Sequence, residues 1–215
     1  MYVLRFCAGP LVHKISPLGL LFSCATLAMV GLFWLGNSTA GLAVFLAATV
    51  YGVGKTFFWP TMLGVVSERF PRGGALTLGA MGAAGVFSGG LLGTTGIGYV
   101  QDYYAAGKLA QESAPLYQAY AAADQKTFLF FPKTTGLDGA KTGAIMAKPE
   151  SELTQTEKPV RSAVIYGGRM SLKWTALVPL VMAAGYLVLI LYFRAIGGYR
   201  QVHLEGSAGQ AKELG

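Results

Sequence analysis

The chain has 215 residues, of which 53% are hydrophobic and only 13% charged, with a formal net charge of +7 at pH 7. Ordinary soluble domains carry about 25% charged residues, so this composition is that of a membrane protein. The Lys and Arg residues are scattered rather than gathered into a basic stripe, which sets nucleic acid aside as a partner.

The first stretch, MYVLRFCAGPLVHK, has no basic n-region followed by a small-residue cleavage site. It reads as the tail of a helix cut off by the start of the chain, not as a signal peptide. Residues 1–12 would reach about 18 Å even if fully helical, too short to span. Residues 18–36, LGLLFSCATLAMVGLFWLG, carry no charge, and their 19 residues suffice for a hydrocarbon core of about 30 Å. Residues 40–66 form a second span broken only by Lys55. Residues 74–100 form a third, uncharged span, and residues 174–193 a fourth. Cys7 and Cys24 both lie in apolar sequence and read as packed free thiols.

The connections differ. NST at 37–39 is a tight polar turn, and SERFPRG at 67–73 is short and charged. Residues 101–173 form a polar insertion with nine of the seventeen basic and seven of the ten acidic residues. Within it, 114–124 has helical composition, while 132–159 is rich in Lys, Thr, Gly and Glu and is expected to be irregular. FLFF at 128–131 is expected to rest on the membrane surface or on the protein. The chain thus divides into 1–100, a truncated helix with three transmembrane helices; 101–173, an extracytoplasmic insertion loop; and 174–215, the last transmembrane helix with a cytoplasmic tail.

Basic residues in short loops set the orientation. Lys14 precedes the first span, Arg69 and Arg72 follow the second, and Arg194 and Arg200 follow the last. These ends are expected to face the cytoplasm, with the C-terminus, in a multi-pass protein of the inner or plasma membrane. Arg169 and Lys173 lie on the outer side, against the rule, but a loop of more than about 60 residues is largely exempt from it.

In the third span Gly85, Gly89 and Gly93 recur every four residues, which puts them on one face of a helix. Small residues there allow close approach of a neighbour. That face serves tight packing, a sliding contact in alternating access, or both.

Lys55 is the chemically notable residue of the second span. On a helix it shares a stripe with Tyr51 and Trp59, and it lies about 16 Å from the nearer end, too deep for easy snorkelling. The pair Gly52 and Gly54 together with Pro60 weakens the backbone around it. Two readings are open. Lys55 caps a carbonyl or pairs with an acid on another helix, or it lines a cavity where it attracts an anionic or polar solute. GVGKT at 52–56 superficially suggests a phosphate loop, but it lacks the first glycine at the required spacing and lies inside a span.

GPLVHKISPLGLL at 9–21 resembles the loop motif of the major facilitator superfamily. Gly9 and Leu11 fit and Lys14 stands at the basic position; His13 replaces the usual Asp, and Ser16 with Pro17 replaces Gly-Arg. FFWPTMLGVVSERFPRGGAL at 57–76 resembles the family's tenth helix and the loop after it. The glycine-rich span resembles the eleventh helix, and LYFRAIGGYRQVHL the end of the twelfth. The resemblance covers nearly all of the chain outside 101–173. It implies an all-α transmembrane fold: part of a C-terminal six-helix half, with four full spans after a truncated helix. It also implies a partner, a missing N-terminal transporter half. Glu68, Arg69 and Arg72, with Gly9, His13 and Lys14, would belong to a cytoplasmic gate. Tyr51, Lys55 and Trp59 would face a small hydrophilic solute.

The expected function is therefore that of a transporter fragment embedded in the lipid bilayer, without cofactor or metal and without enzymatic activity. The alternative is a small multi-pass membrane scaffold that assembles a complex without transport.

Overall fold

The computed structural model describes residues 16–39 and 41–197. Cys7, Gly9, His13, Lys14 and Arg200 lie outside the described residues. In chain order the elements are α1 (Pro17–Asn37), α2 (Leu42–Thr56), α3 (Phe58–Arg69), a 3-10 turn (Pro71–Gly73), α4 (Gly74–Val86), a π-helical segment (Phe87–Gly93) and α5 (Thr94–Glu112). There follow α6 (Ala114–Tyr120), β1 (Ala121–Lys126), β2 (Thr134–Leu137), α7 (Gly139–Ala147), a 3-10 turn (Glu150–Glu152), α8 (Glu157–Thr175) and α9 (Leu177–Ala195). Among the described residues, four helical segments are long and apolar enough to cross a membrane: Pro17–Asn37, Leu42–Arg69, Pro71–Glu112 and Glu157–Ala195.

The chain divides into two compact units. The described part of the first comprises residues 16–31, 48–87 and 178–197. Here α1 begins where the Ser16 hydroxyl accepts the Gly19 N–H at 3.1 Å. Pro17 follows at the first helical position, where its missing N–H costs nothing. Leu20, Cys24 and Phe57 form a small buried cluster with Phe58 packed against it, and the Cys24 thiol is free. Glycines let α1 and α2 touch backbone to backbone. A Cβ on Gly54 would stand 2.7 Å from the Ala28 nitrogen and 2.8 Å from the Cys24 carbonyl oxygen. A Cβ on Gly31 would stand 2.5 Å from the Tyr51 nitrogen.

The helical path is interrupted at Phe57 between α2 and α3 and at Ala176 between α8 and α9. In both places a proline follows three residues later, Pro60 and Pro179, and its absent N–H removes the bond to the carbonyl one turn back. The break expected near Gly52, Gly54 and Pro60 is thus placed by the proline. Gly54 acts instead as a contact surface.

The second unit comprises the described residues of 32–47 together with 88–177. α5 and α8 continue well past the apolar runs that open and close the insertion, and they lie along each other. They come close at Gly167, where a Cβ would meet the Gln101 carbonyl oxygen and Ala105. Ala105, Leu109, Leu137, Ile145, Leu153, Val160 and Ala163 form one buried cluster. β1 and β2 pair antiparallel, with Ala121 opposite Leu137 and Lys126 opposite Thr134. The stretch 132–159, expected to be irregular, instead carries β2, α7 and a 3-10 turn. Each of these short elements contributes one apolar anchor to the common core, Leu137, Ile145 and Leu153 respectively, the last directly after its turn. The Asp138 carboxylate caps α7 by accepting the Ala140 N–H at 2.9 Å and the Lys141 N–H at 3.2 Å.

Two basic residues that sit against the charge rule have structural uses in this unit. Arg169 donates to the Thr39 carbonyl oxygen at 3.2 Å, satisfying the end of the polar turn after α1. The Lys173 stem lies against Gly36.

The entry into α8 is tied by charge. The Glu157 carboxylate accepts from the Lys148 ammonium at 2.5 Å and from the Thr154 N–H at 2.9 Å. It lies seventeen residues before Trp174, where the last apolar run begins, about 25 Å along the helix. The Lys148 ammonium, then the Thr154 N–H, pull its pKa from 4.5 down to about 2. A carboxyl depressed by folding stabilises the fold above its unfolded pKa, and that contribution is lost as pH falls through the folded value. Amide protection around 148–157 is therefore expected to fall between pH 4.5 and about 2. Hydrogen exchange measures it, and Glu157→Gln should remove the acid-dependent step.

Candidate functional site

The second apolar segment runs for 28 residues, Leu42–Arg69, and Lys55 is its fourteenth. Lys55 therefore lies about 20 Å from either end. It is the penultimate residue of α2, one turn before Pro60. A cation suits the carbonyl end of a helix, where the backbone dipole is negative.

The side chain of Lys55 is exposed, so the packing of this chain does not enclose it. Its Nζ lies 6.0 Å from the centroid of the Tyr51 ring, at the outer limit of a cation–π contact. Among the described residues it makes no ion pair. Trp59 is 46% exposed, and its indole edge lies 3.2 Å from where a Cβ on Gly85 would stand. Gly85 thus makes room for Trp59. The arrangement is an exposed lysine with the Tyr51 ring on the same α2 face, and Trp59 beyond the interruption at Phe57. It can attract an anion or stack a polar ring such as a sugar.

Gly89 and Gly93 stand apart from that contact. A Cβ on Gly89 would meet nothing within 4 Å, and one on Gly93 would meet only the Ser88 carbonyl oxygen. Both lie in the π-helical segment Phe87–Gly93. There the i→i+5 turn is wider than an α-turn and rotates side chains off the expected four-residue stripe.

Of the residues assigned to a cytoplasmic gate, Glu68 and Arg69 end α3 and Arg72 occupies the 3-10 turn after it. The Arg69 guanidinium lies 5.0 Å from the Phe193 ring centroid, a cation–π contact to α9. Gly9, His13 and Lys14 lie outside the described residues.

Sequence reading missed a cleft of about 670 Å³ along α5 in the second unit. Tyr103, Tyr104, Tyr117 and Tyr166 line it with Lys108 and Glu112. Its charges are occupied: Lys108 pairs with Glu112 at 3.2 Å and lies 5.0 Å over the Tyr166 ring. The tyrosines come from α5, α6 and α8, so no local spacing in the sequence announces the cleft. Among the described residues no group of three His, Cys, Asp or Glu side chains could hold a metal ion. No protein-family model, curated protein or solved structure matches this chain.

Proposed function

We propose that this chain is the C-terminal part of a secondary transporter of the major facilitator type, which moves a small hydrophilic solute, anionic or sugar-like, by alternating access. The observation that carries the reading is Lys55: a mid-span lysine beside a helix break, exposed from its own chain, with the Tyr51 ring 6.0 Å from its Nζ. Polar groups at that depth persist where they face a partner helix, a water-filled cavity or a solute. An N-terminal half would close the other side of that cavity. Glu68, Arg69 and Arg72 would work at its cytoplasmic mouth, with the C-terminus on the same side of an inner or plasma membrane.

Uptake of labelled sugars and small organic anions by vesicles holding the complete protein tests this. Saturable uptake that empty vesicles lack is the expected result. The same vesicles separate it from a second reading, a membrane scaffold, which the independently cored second unit favours. A scaffold would show no flux and would copurify with a defined complex.

A further inference from the structure

We propose that the tip of the β1–β2 hairpin, Leu129 and Phe130, inserts into the lipid interface beside the apolar end of α5 and anchors the hairpin to the bilayer surface. The inference needs the third apolar segment to cross a membrane; it does not need transport. The hairpin descends along α5 in measurable steps. Gly136 of β2 lies against Asp102, and Lys126 of β1 pairs with the same carboxylate at 2.6 Å. Farther along, Tyr99 donates its hydroxyl to the Pro132 carbonyl oxygen at 2.7 Å, and its ring lies 5.7 Å from that of Phe131. Beyond that, the Phe128 ring lies 3.0 Å from where a Cβ on Gly96 would stand.

Asp102 is the first charged residue after the apolar run 74–100. From Asp102 back to Gly96 is six residues of helix, about 9 Å. The tip follows Phe128, so it lies about that far on the apolar side of the first charge. That is the depth at which amphipathic elements bury apolar side chains under lipid headgroups.

At that level the two tip side chains, Leu129 and Phe130, are apolar. Leu129 is 66% and Phe130 87% exposed, while Phe128 and Phe131 stack on each other and pack at a tilt against Tyr99. Leu129 holds a φ of +51°, a conformation for which a turn would otherwise take glycine or asparagine. The same helical segment is also apolar and open, with Leu91, Leu92 and Ile97 exposed. Tyr103, Tyr104 and Trp174 stand at the boundary, and Trp174 donates its indole N–H to the Tyr104 hydroxyl at 2.9 Å. Tyr and Trp gather at the edge of a bilayer in this way. The tip continues that lipid-facing surface.

The test is depth measurement by nitroxide labelling. The full chain, carrying Cys7→Ser, Cys24→Ala and Phe130→Cys, is labelled in nanodiscs of zwitterionic and anionic phospholipid. A second preparation carries Leu129→Cys, and a third Lys158→Cys as a water-exposed reference on α8. Both tip labels should collide more with oxygen than with a water-soluble nickel chelate, and the Lys158 label should show the reverse. Nickel-dominated collisions at the tip would overturn the proposal by placing it in water. Protection of both tip labels from both reagents would overturn it in favour of a protein contact, with a second copy or another segment of the protein.

Discussion

Lys55→Met is expected to make the protein more stable and its transport far weaker. An ammonium near the centre of a span costs about 2.5 to 3.5 kcal/mol on insertion scales. The one described partner that offsets this is the Tyr51 ring, 6.0 Å from the ammonium, and an exposed cation–π contact is worth about 0.5 to 1 kcal/mol. Methionine keeps the length of the side chain and removes the charge, so a net gain of up to about 2 kcal/mol follows, smaller the more water in the cavity hydrates the ammonium. A charged hydrogen bond to a solute contributes about 1.5 to 3 kcal/mol, so its loss should raise the half-saturation concentration roughly 10- to 100-fold. Lys55→Arg, which keeps the charge but not the shape, should fall between the two. Thermal unfolding in detergent and uptake in vesicles of the complete protein read the two effects separately. The alternative, Lys55 paired with an acid on a helix outside this chain, predicts the opposite sign of stability. Breaking a buried pair leaves the carboxylate uncompensated and costs about 3 to 5 kcal/mol. A fall in melting temperature with unchanged uptake would make Lys55 a structural residue.

The apolar spans were legible because length and the absence of charge are properties of a single segment. The limits of the helices were not. α5 runs on to Glu112, and α8 begins at Glu157 rather than at Trp174. Outside the lipid a helix needs only one buried stripe, and on α8 that stripe is Val160, Ala163, Gly167 and Ser171. Its spacing of three and four residues is helical, but three of its four members are small and carry almost no apolar signal. The same smallness lets α8 lie against α5 at Gly167. The hairpin, α7 and the turn at Glu150–Glu152 were illegible for a different reason. Each is too short to be stable alone and exists through Leu137, Ile145 and Leu153 meeting Leu109 and Val160. Lys55, Tyr51 and Trp59 could be singled out because a charge in a span stands out locally. The tyrosine cleft could not, since its rings come from helices far apart in sequence.

Glycines gave the opposite lesson, and they supply the second large effect. The four-residue repeat at Gly85, Gly89 and Gly93 drew attention, yet close backbone contacts in the first unit are made at Gly31 and Gly54, which no repeat marks. Gly54→Leu is expected to prevent α1 and α2 from docking. Even the first carbon of the side chain would stand 2.7 Å from the Ala28 nitrogen and 2.8 Å from the Cys24 carbonyl oxygen. Both are backbone atoms inside α1, so neither can rotate away, and relief requires the whole helix to move outward. Overpacking of that kind typically costs about 1 to 3 kcal/mol. Gly54→Ala should fall in that range. The longer leucine should exceed it and leave little folded protein, read as loss of the monodisperse peak in detergent gel filtration. Gly31→Ala, which meets the Tyr51 backbone at 2.5 Å, should resemble Gly54→Ala. Gly82→Ala in the same 215-residue chain is the control. A Cβ there meets nothing within 4 Å, and the higher helix propensity of alanine favours it by up to about 1 kcal/mol. If Gly54→Ala and Gly82→Ala unfolded at the same temperature, the close contact between α1 and α2 would have no energetic weight.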